Sequence, residues 1–277
     1  MAKVILIMST GRCGTQFLAK LLAQGDDNTL VVHEGAGPNY RPATVFRGGD
    51  YDKVISETHQ LRDEFTRIDQ QLAAGQRFID TGWLTYAWGP YFENRYGADF
   101  QFIHLLRNPF ATAASMSTHG LLGDGEDRLN VDCIIRPFQP NVAFPEFQAD
   151  YAEFSYFERG LYHWLEVHSF LKTQHISAAF QGLFRFEELF SNDNKGVQKL
   201  WKTCGFAPDK FKNIPAYDKY NVRARRQVSL TNEKLLEKVW ALALGFGYDE
   251  ELLKTWSDAE FLQARYSTPR LKRPPAG

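Results

Sequence analysis

The chain has 277 residues, of which 44% are hydrophobic, 14% aromatic and 23% charged, a composition that fits a globular protein and excludes a disordered or fibrous one. At about 150 residues per domain, this length corresponds to one or two domains. The 32 Lys and Arg residues against 33 Asp and Glu residues give a net charge of −1, so no overall positive field attracts nucleic acid or an anionic membrane surface.

The cysteine pattern and the N-terminal residues bear on cofactors and compartment. Cys13, Cys133 and Cys204 lie far apart and no histidine group has zinc-ligand spacing, which predicts neither a disulfide framework nor a metal site. The apolar run Val4–Met8 is shorter than the h-region of a secretory leader, about 7–15 residues, or a membrane span of about 20. We therefore expect a soluble, cytoplasmic protein with no membrane partner.

Short apolar runs alternate with stretches of helical periodicity along the chain. The predicted elements are, in order, a strand at 4–8, a helix at 14–23, strands at 29–33, 78–80, 99–106 and 178–186, and intervening helices at 54–72, after Asn108 and at 153–173. Asn108 is a typical helix cap and Pro109 fits the first turn, where a missing N–H costs nothing. Strands that alternate with helices predict a three-layer α/β/α fold with a central, mostly parallel sheet.

One long segment, residues 119–152, departs from this alternation because it is rich in Gly and Pro and has little periodicity. Loops of this length inside a compact domain are usually functional, so the segment is predicted to be a lid or a substrate-binding insert, with a disordered excursion as the alternative. We expect one domain over residues 1–268, followed by a flexible, basic, Pro-rich tail at 269–277.

The first strand runs into a glycine-containing turn that predicts an anion site at a helix N-terminus. The residues concerned are Gly11, Arg12, Cys13, Gly14, Thr15 and Gln16. The turn is not a Walker A loop, because Gly-Lys-[Ser/Thr] is absent. Cys13 does not match a phosphatase nucleophile either, since Ala19 stands six residues later where that loop carries Arg.

A second anion site is predicted where the strand 99–106 ends. Arg107 follows that strand and precedes the helix capped by Asn108, and Ser115 lies eight residues after Arg107. Both sites fall on the edge of a parallel sheet where ligands bind. Two separated anion sites suit a ligand that carries phosphates at two positions.

These motifs together resemble the sulfotransferase family. The 5′-phosphosulfate loop of that family resembles Arg12-Cys13-Gly14-Thr15-Gln16-Phe17, although Cys13 replaces the usual Ser and Gln16 a frequent second Thr. Its 3′-phosphate motif resembles Arg107-Asn108-Pro109 with Ser115. Later segments at 183–189, 229–231 and 247–248 are also similar and keep the family order.

The resemblance implies a P-loop NTPase-like α/β/α fold and sulfuryl transfer from 3′-phosphoadenosine 5′-phosphosulfate (PAPS) to a hydroxyl or amine, without a metal. Arg12 is then expected to stabilise charge on the departing 5′-phosphate. Glu34 is the first candidate for the general base, followed by Asp80 and His33, all at predicted strand ends. By position, Arg223, Arg225 and Arg226 are expected to clamp the 3′-phosphate, with solvated surface charge as the alternative.

The charge of one segment bears on the kind of acceptor. Residues 117–160 carry three basic and eight acidic residues, 3 − 8 = −5, which favours a neutral or cationic small-molecule acceptor over a polyanion, with a solvated acidic face as the alternative. The alternative functions are a P-loop-like small-molecule kinase and a non-catalytic nucleotide-binding protein. No motif indicates an oligomeric state.

Overall fold

The computed structural model describes residues 3–119, 122–123, 128–191, 193–211 and 228–266. A parallel sheet of five strands lies at its centre, in the order β2-β3-β1-β4-β5. The strands are β1 (Val4–Met8), β2 (Thr29–Val32), β3 (Arg77–Asp80), β4 (Phe100–Leu106) and β5 (Phe180–Arg185). The first strand therefore lies in the middle of the sheet, and the turn that follows it opens at the centre of the carboxyl edge.

Helices connect these strands within the described ranges. They are α1 (Thr15–Leu22), α2 (Pro42–Val45), α3 (Tyr51–Glu57), α4 (His59–Ala73), α5 (Gly89–Tyr96), α6 (Pro109–Ser117), α7 (Arg128–Cys133), α8 (Tyr156–Thr173), α9 (Phe186–Leu189), α10 (Lys195–Thr203), α11 (Glu233–Gly245), α12 (Glu250–Ser257) and α13 (Ala259–Tyr266). Short 3-10 helices lie at Gly37–Tyr40, Trp83–Thr85, Gly97–Asp99, Pro145–Phe147, Gln174–Ile176 and Pro208–Lys210.

The alternation of side chains along β1 produces two hydrophobic cores, one on each face of the sheet. Val4, Leu6 and Met8 belong to the larger core, which includes α4, α5, α6, α8 and α11. Ile5 and Ile7 belong to the smaller core, with α1 and α10. A fully apolar strand is what a sheet covered on both sides requires. The predicted three-layer α/β/α architecture with a parallel sheet is confirmed.

The predicted strands and most predicted helices lie within about three residues of the observed ones, and Asn108 caps α6 as expected by accepting from Phe110 N and Ala111 N. The single helix predicted over 54–72 is wrong. It is divided into α3 and α4 at Thr58, whose backbone is extended (φ −123°, ψ 99°). The apolar spacing did not reveal this break because Val54 and Leu61, on either side of it, are both buried in the larger core.

The described part of the predicted insert packs against the larger core. Ile134, Ile135 and Phe147 are buried, and the Glu166 carboxylate of α8 accepts hydrogen bonds from Ala143 N (3.0 Å) and Phe144 N (2.8 Å). The tail at 269–277 lies outside the described residues. Across the described ranges, the helices are all too short or too polar to traverse a bilayer.

Candidate active site

The turn after β1 adopts a conformation that depends on its glycines. Gly11 (φ +84°) and Gly14 (φ +77°) both have left-handed backbones, as does Arg12 between them (φ 57°). A Cβ at Gly11 would lie 3.1 Å from the Trp83 ring, and one at Gly14 would lie 2.8 Å from the Phe190 ring. The turn therefore requires glycine at both positions, for space as well as for backbone angle.

This turn leads directly into the N-terminus of α1. Gly14 is the N-cap residue, and no described side chain caps this end of the helix. The first-turn N–H groups of a helix have no partner within the helix, and they carry the positive end of its dipole. The Thr15 carbonyl beneath them accepts from Thr81 Oγ1 at 3.0 Å. The arrangement is suited to bind an anion.

Cys13 lies inside the turn and contributes to its shape. Its side chain is fully buried, its thiol donates to the Gly11 carbonyl at 3.1 Å, and the Ser9 hydroxyl accepts from Gly11 N at 3.2 Å. Burial raises the pKa of the Cys13 thiol to about 12, so the thiol is protonated at neutral pH. A buried, protonated thiol is not a nucleophile, in agreement with the absence of a phosphatase loop.

Three residues that the sequence assigned to two anion sites meet beside this turn, and we refer to Arg12, Arg107 and Ser115 as the cationic cluster. Arg12 Nε donates to Ser115 Oγ at 3.0 Å, and an Nη of Arg107 donates to the Arg12 carbonyl at 2.6 Å. Arg12 and Arg107 are both half-buried. The two guanidinium groups thus share one region at the carboxyl edge of β1 and β4.

Arg107 is held by residues from distant parts of the chain. Its second Nη donates to the Tyr266 hydroxyl at 2.9 Å, and its guanidinium lies 4.4 Å from the centre of the Phe186 ring. Its carbonyl accepts from Trp164 Nε1 of α8 at 3.0 Å. These contacts fix both the backbone and the side chain of Arg107 at the tip of β4.

The later segments that resemble the family motifs pack against the same strand tip. Glu187 accepts from Asn108 N and from the Tyr248 hydroxyl, both at 2.9 Å. Glu158, the N3 residue of a capping box on α8, accepts from Thr231 N at 2.7 Å. The segments at 183–189, 229–231 and 247–248 therefore support the region around Arg107 and the start of α8.

The three candidate bases form a second group, which we call the acidic turn: His33, Glu34 and Asp80. Glu34 follows β2 in a left-handed conformation (φ 59°), and its side chain is 31% exposed. His33 Nε2 lies 3.0 Å from Thr15 Oγ1 and 3.7 Å from Glu34 Oε1. The pKa of His33 is lowered, because the effect of burial exceeds the opposing effect of the Glu34 carboxylate. Through Thr15, this turn is connected to the start of α1.

Asp80 occupies the interior of the acidic turn and is completely buried. Its two carboxylate oxygens accept from Gly82 N (2.6 Å), Glu34 N (3.2 Å) and Gly35 N (3.3 Å). Burial raises the pKa of Asp80 to about 7, against the opposing effect of these N–H donors. The structure places Asp80 where it holds the backbone that presents Glu34.

Other residues singled out in the sequence have less bearing on the site. Gln16 is exposed in the first turn of α1. Arg223, Arg225 and Arg226 lie outside the described residues. Among the described residues, no group of three or more His, Cys, Asp or Glu side chains is arranged to hold a metal ion.

Sequence reasoning missed a row of three histidines beneath the turn, His175, His104 and His168, which we call the imidazole chain. His104 Nδ1 lies 2.9 Å from His175 Nε2, and His104 Nε2 lies 2.7 Å from His168 Nδ1. His168 Nε2 in turn lies 3.3 Å from Thr10 Oγ1. A titratable residue in the middle of the apolar strand β4 was the available signal, because a buried polar side chain requires a partner.

Comparisons with known proteins give the following results. No protein-family model and no curated protein matches the chain. Of the solved structures, the sulfotransferase domain from the Synechococcus PCC 7002 olefin synthase is similar with a TM-score of 0.48 and 13% identity, over 90% of this chain and 94% of that one. The sulfotransferase domain from the curacin biosynthetic pathway has a TM-score of 0.46 and 14% identity, over 99% and 93%. Both are named for the family that the motifs resemble.

Proposed function

We propose that the protein transfers a sulfuryl group from PAPS to a hydroxyl or amine of a small-molecule acceptor. The observation that carries this proposal is the meeting of Arg12, Arg107 and Ser115 beside the N-terminus of α1. These residues come from the two motifs that resemble the family's donor-binding motifs. A helix N-terminus and two guanidinium groups in one region suit a nucleotide with phosphate groups at two positions.

The charges at the cationic cluster match the demands of sulfuryl transfer. As the S–O bond to the donor breaks, negative charge develops on the departing 5′-phosphate, as it does on the leaving oxygen in phosphoryl transfer. Arg12 and the first-turn N–H groups of α1 are fixed before the reaction, and fixed charges of this kind stabilise the transition state more than the ground state. Arg12 stays protonated and so acts electrostatically. Arg107 and Ser115 are the proposed ligands of the 3′-phosphate.

Glu34 is the proposed general base. An acceptor hydroxyl has to lose its proton as the new S–O bond forms, and a carboxylate within reach accepts it. Of the two carboxylates in the acidic turn, Glu34 is partly exposed at the sheet edge, whereas Asp80 is enclosed and accepts three backbone N–H groups. His33 is partly buried against Thr15. We assign Asp80 and His33 to positioning the turn.

We propose that the acceptor is neutral or cationic. The negative charge of residues 117–160 that favours such an acceptor is smaller than the −5 counted in the sequence. Within residues 117–160, Asp132 pairs with Arg41 at 3.5 Å, and Glu158 is enclosed by the capping box and the residues around Thr231. Glu146 lies 3.9 Å from Lys238. The charges of Asp132 and Glu146 are thus paired with cations of the protein, and the Glu158 carboxylate is directed inward onto backbone N–H groups. Strong activity on a uronic-acid polysaccharide would overturn this part of the proposal.

Calorimetry with adenosine 3′,5′-bisphosphate, the desulfated donor, tests the donor assignment against ATP with Mg²⁺. We expect the bisphosphate to bind more tightly, because Arg107 and Ser115 supply contacts that ATP, lacking a 3′-phosphate, does not use. Arg107→Ala is expected to weaken bisphosphate binding by about 10–100-fold, the value of one or two charge-assisted hydrogen bonds. Arg62→Ala, on the exposed face of α4, is the matched control.

Three results would contradict parts of the proposal. Equal or tighter binding of ATP would favour the kinase alternative, which Mg²⁺-dependent ATP consumption would then establish. An Arg107→Ala protein that unfolds at the wild-type temperature and binds the bisphosphate with wild-type affinity would exclude Arg107 as a ligand of the 3′-phosphate. Binding without transfer to any hydroxyl or amine acceptor would favour the non-catalytic alternative.

A further inference from the structure

The imidazole chain extends from the protein surface to the turn after β1. His175, in the 3-10 helix after α8, is half-buried and stacks on Phe180 with ring centres 3.9 Å apart. His104 in β4 and His168 in α8 are both fully buried, as is Thr10. Hydrogen-bond distances of 2.9, 2.7 and 3.3 Å connect these four side chains in one row. The row has one end near solvent and the other inside the proposed anion-binding turn.

The two inner histidines are neutral because burial lowers the pKa of His104 and of His168 well below the usual value. A neutral imidazole carries one N–H donor and one acceptor nitrogen. Adjacent members of the chain can therefore bond only if every N–H points the same way. Two arrangements satisfy this condition, one with all donors directed inward to Thr10 and one with all directed outward to His175.

Protonation of His175 permits only the inward arrangement. An imidazolium donates from both nitrogens, so His175 Nε2 must donate to His104 Nδ1. His104 then donates from Nε2 to His168 Nδ1, and His168 donates from Nε2 to Thr10 Oγ1. The outward arrangement would place two N–H groups against each other between His175 and His104.

The inward arrangement continues through the turn itself. Once Thr10 Oγ1 accepts from His168, its hydroxyl hydrogen is directed away from the imidazole chain and can be donated within the turn. The Cys13 thiol of the same turn donates to the Gly11 carbonyl at 3.1 Å. In this arrangement the positive ends of the N–H dipoles point toward the turn. An anion bound at the turn is stabilised by dipoles of that direction.

We propose that the imidazole chain couples protonation of His175 to anion binding at the turn after β1, with His104 and His168 as positioning residues. The proposal deepens the proposed function, because the anion at this turn is taken to be the 5′-phosphate end of the donor. Coupling of two binding equilibria is reciprocal. The affinity for the anion therefore rises as the pH falls through the pKa of His175, and a bound anion favours protonated His175.

The charged and titratable groups around the chain come from α8. Lys172 lowers the pKa of His175 in addition to burial, and His163 is a minor influence on His168. On the side of α11, the neighbour is the Phe246 ring, 5.5 Å from His104 and 6.4 Å from His175. On the side of β5 it is Phe180. Among the described residues of the imidazole chain, His175 is the one that is only half-buried and so has access to solvent protons.

The first test is calorimetry of adenosine 3′,5′-bisphosphate at pH 8 and pH 5.5. His175→Gln keeps a hydrogen-bonding side chain next to His104 but does not titrate. His59→Gln is the control, since His59 is exposed on α4 and paired with Asp63. Titration of the ligand phosphates is common to all three proteins and cancels in their ratios. Between pH 8 and pH 5.5, we expect the affinity for the bisphosphate to rise in the wild type and in His59→Gln. The rise in these two proteins should be about fivefold larger than in His175→Gln. Identical pH dependence in all three would overturn the proposal.

The second test needs no ligand and distinguishes failure of the coupling from failure of the proposed function. Nitrogen-15 NMR of the histidine side chains reports which ring nitrogen carries the proton. As His175 becomes protonated, the Nε2–H forms of His104 and His168 are expected to increase, and His175→Gln is expected to abolish this change. Constant tautomer populations, or Nδ1–H forms when His175 is protonated, would overturn the coupling. If the bisphosphate does not bind at all, the donor assignment fails, and this measurement alone decides the coupling.

Discussion

The cationic cluster and the acidic turn lie at the same edge of the sheet but are held in place differently. The cationic cluster is bonded across long separations in sequence, with Ser115 of α6 on Arg12 and Tyr266 of α13 on Arg107. The acidic turn is gathered around one buried carboxylate, Asp80, which accepts the backbone N–H groups of Glu34, Gly35 and Gly82. One group has several independent supports, whereas the other depends on a single residue.

This difference separates chemical effects from structural ones. Removal of one member of the cationic cluster leaves the remaining contacts in place, so the loss is expected in binding or turnover. Removal of Asp80 leaves three N–H groups without their acceptor, so the loss is expected in stability as well. Four substitutions distinguish the two kinds of loss.

Glu34→Gln is expected to lower turnover by about 10²–10⁴-fold with the donor saturating, because an amide does not accept the acceptor's proton. The backbone of Glu34 provides the bond to Asp80, so the unfolding temperature should remain close to that of the wild type. Steady-state kinetics with thermal denaturation measures both. Glu237→Gln, on an exposed position of α11, is the control. Wild-type turnover in Glu34→Gln would move the role of base to His33 or Asp80.

Arg12→Met is expected to lower turnover by about 10²–10³-fold, the usual effect of losing one group that stabilises developing charge. The Arg107 bond to residue 12 is made to its carbonyl, so the fold around Arg107 should persist. Rapid-quench measurement of the transfer step separates this effect from product release. The idea fails if Arg12→Met raises KM alone and leaves the transfer rate unchanged.

Asp80→Asn is expected to destabilise the fold by about 1–3 kcal/mol, since an amide cannot accept from all three N–H groups. The raised pKa of Asp80, about 7 against 3.8, means that the folded state binds more protons than the unfolded state between these values. The contribution of Asp80 to stability therefore falls as the pH rises toward 7 and is constant above it. In urea unfolding from pH 4 to pH 8, the advantage of the wild type over Asp80→Asn in free energy of unfolding should shrink as the pH rises to 7. A constant advantage would be inconsistent with the raised pKa.

Ser115→Ala is expected to have the smallest effect, because it removes one hydrogen bond to Arg12 Nε and one proposed contact to the 3′-phosphate. The affinity for adenosine 3′,5′-bisphosphate should fall by about tenfold, corresponding to roughly 1.4 kcal/mol. Calorimetry is again the measurement, with the exposed Ser56→Ala of α3 as the control. A loss as large as that of Arg107→Ala would show that Ser115 acts through the position of the whole cluster.

Much of the molecule was predictable where local pattern decides structure. The apolar run of β1, the glycine turn and the Asn108 cap were all read correctly, because strand burial, left-handed backbone and helix capping depend on neighbouring residues. The break at Thr58 was missed, since the buried spacing of Val54 and Leu61 continues across it. Local pattern could not predict the burial of Asp80 either, because the residues that enclose it, Gly35 and Tyr40, come from another part of the chain.

Local sequence pattern was enough to predict the succession of strands and helices along most of the chain, the glycine turn after β1 and the capped helix start after β4. These features follow from periodicity and from the backbone preferences of Gly, Pro and Asn, which act over a few residues. Contacts between distant segments fixed the rest: Arg107 donates to the Arg12 carbonyl, Trp164 donates to the Arg107 carbonyl, and three histidines join Thr10 in a row. Such contacts depend on how β1, β4 and α8 pack together, and packing joins residues whose separation in sequence carries no local signal.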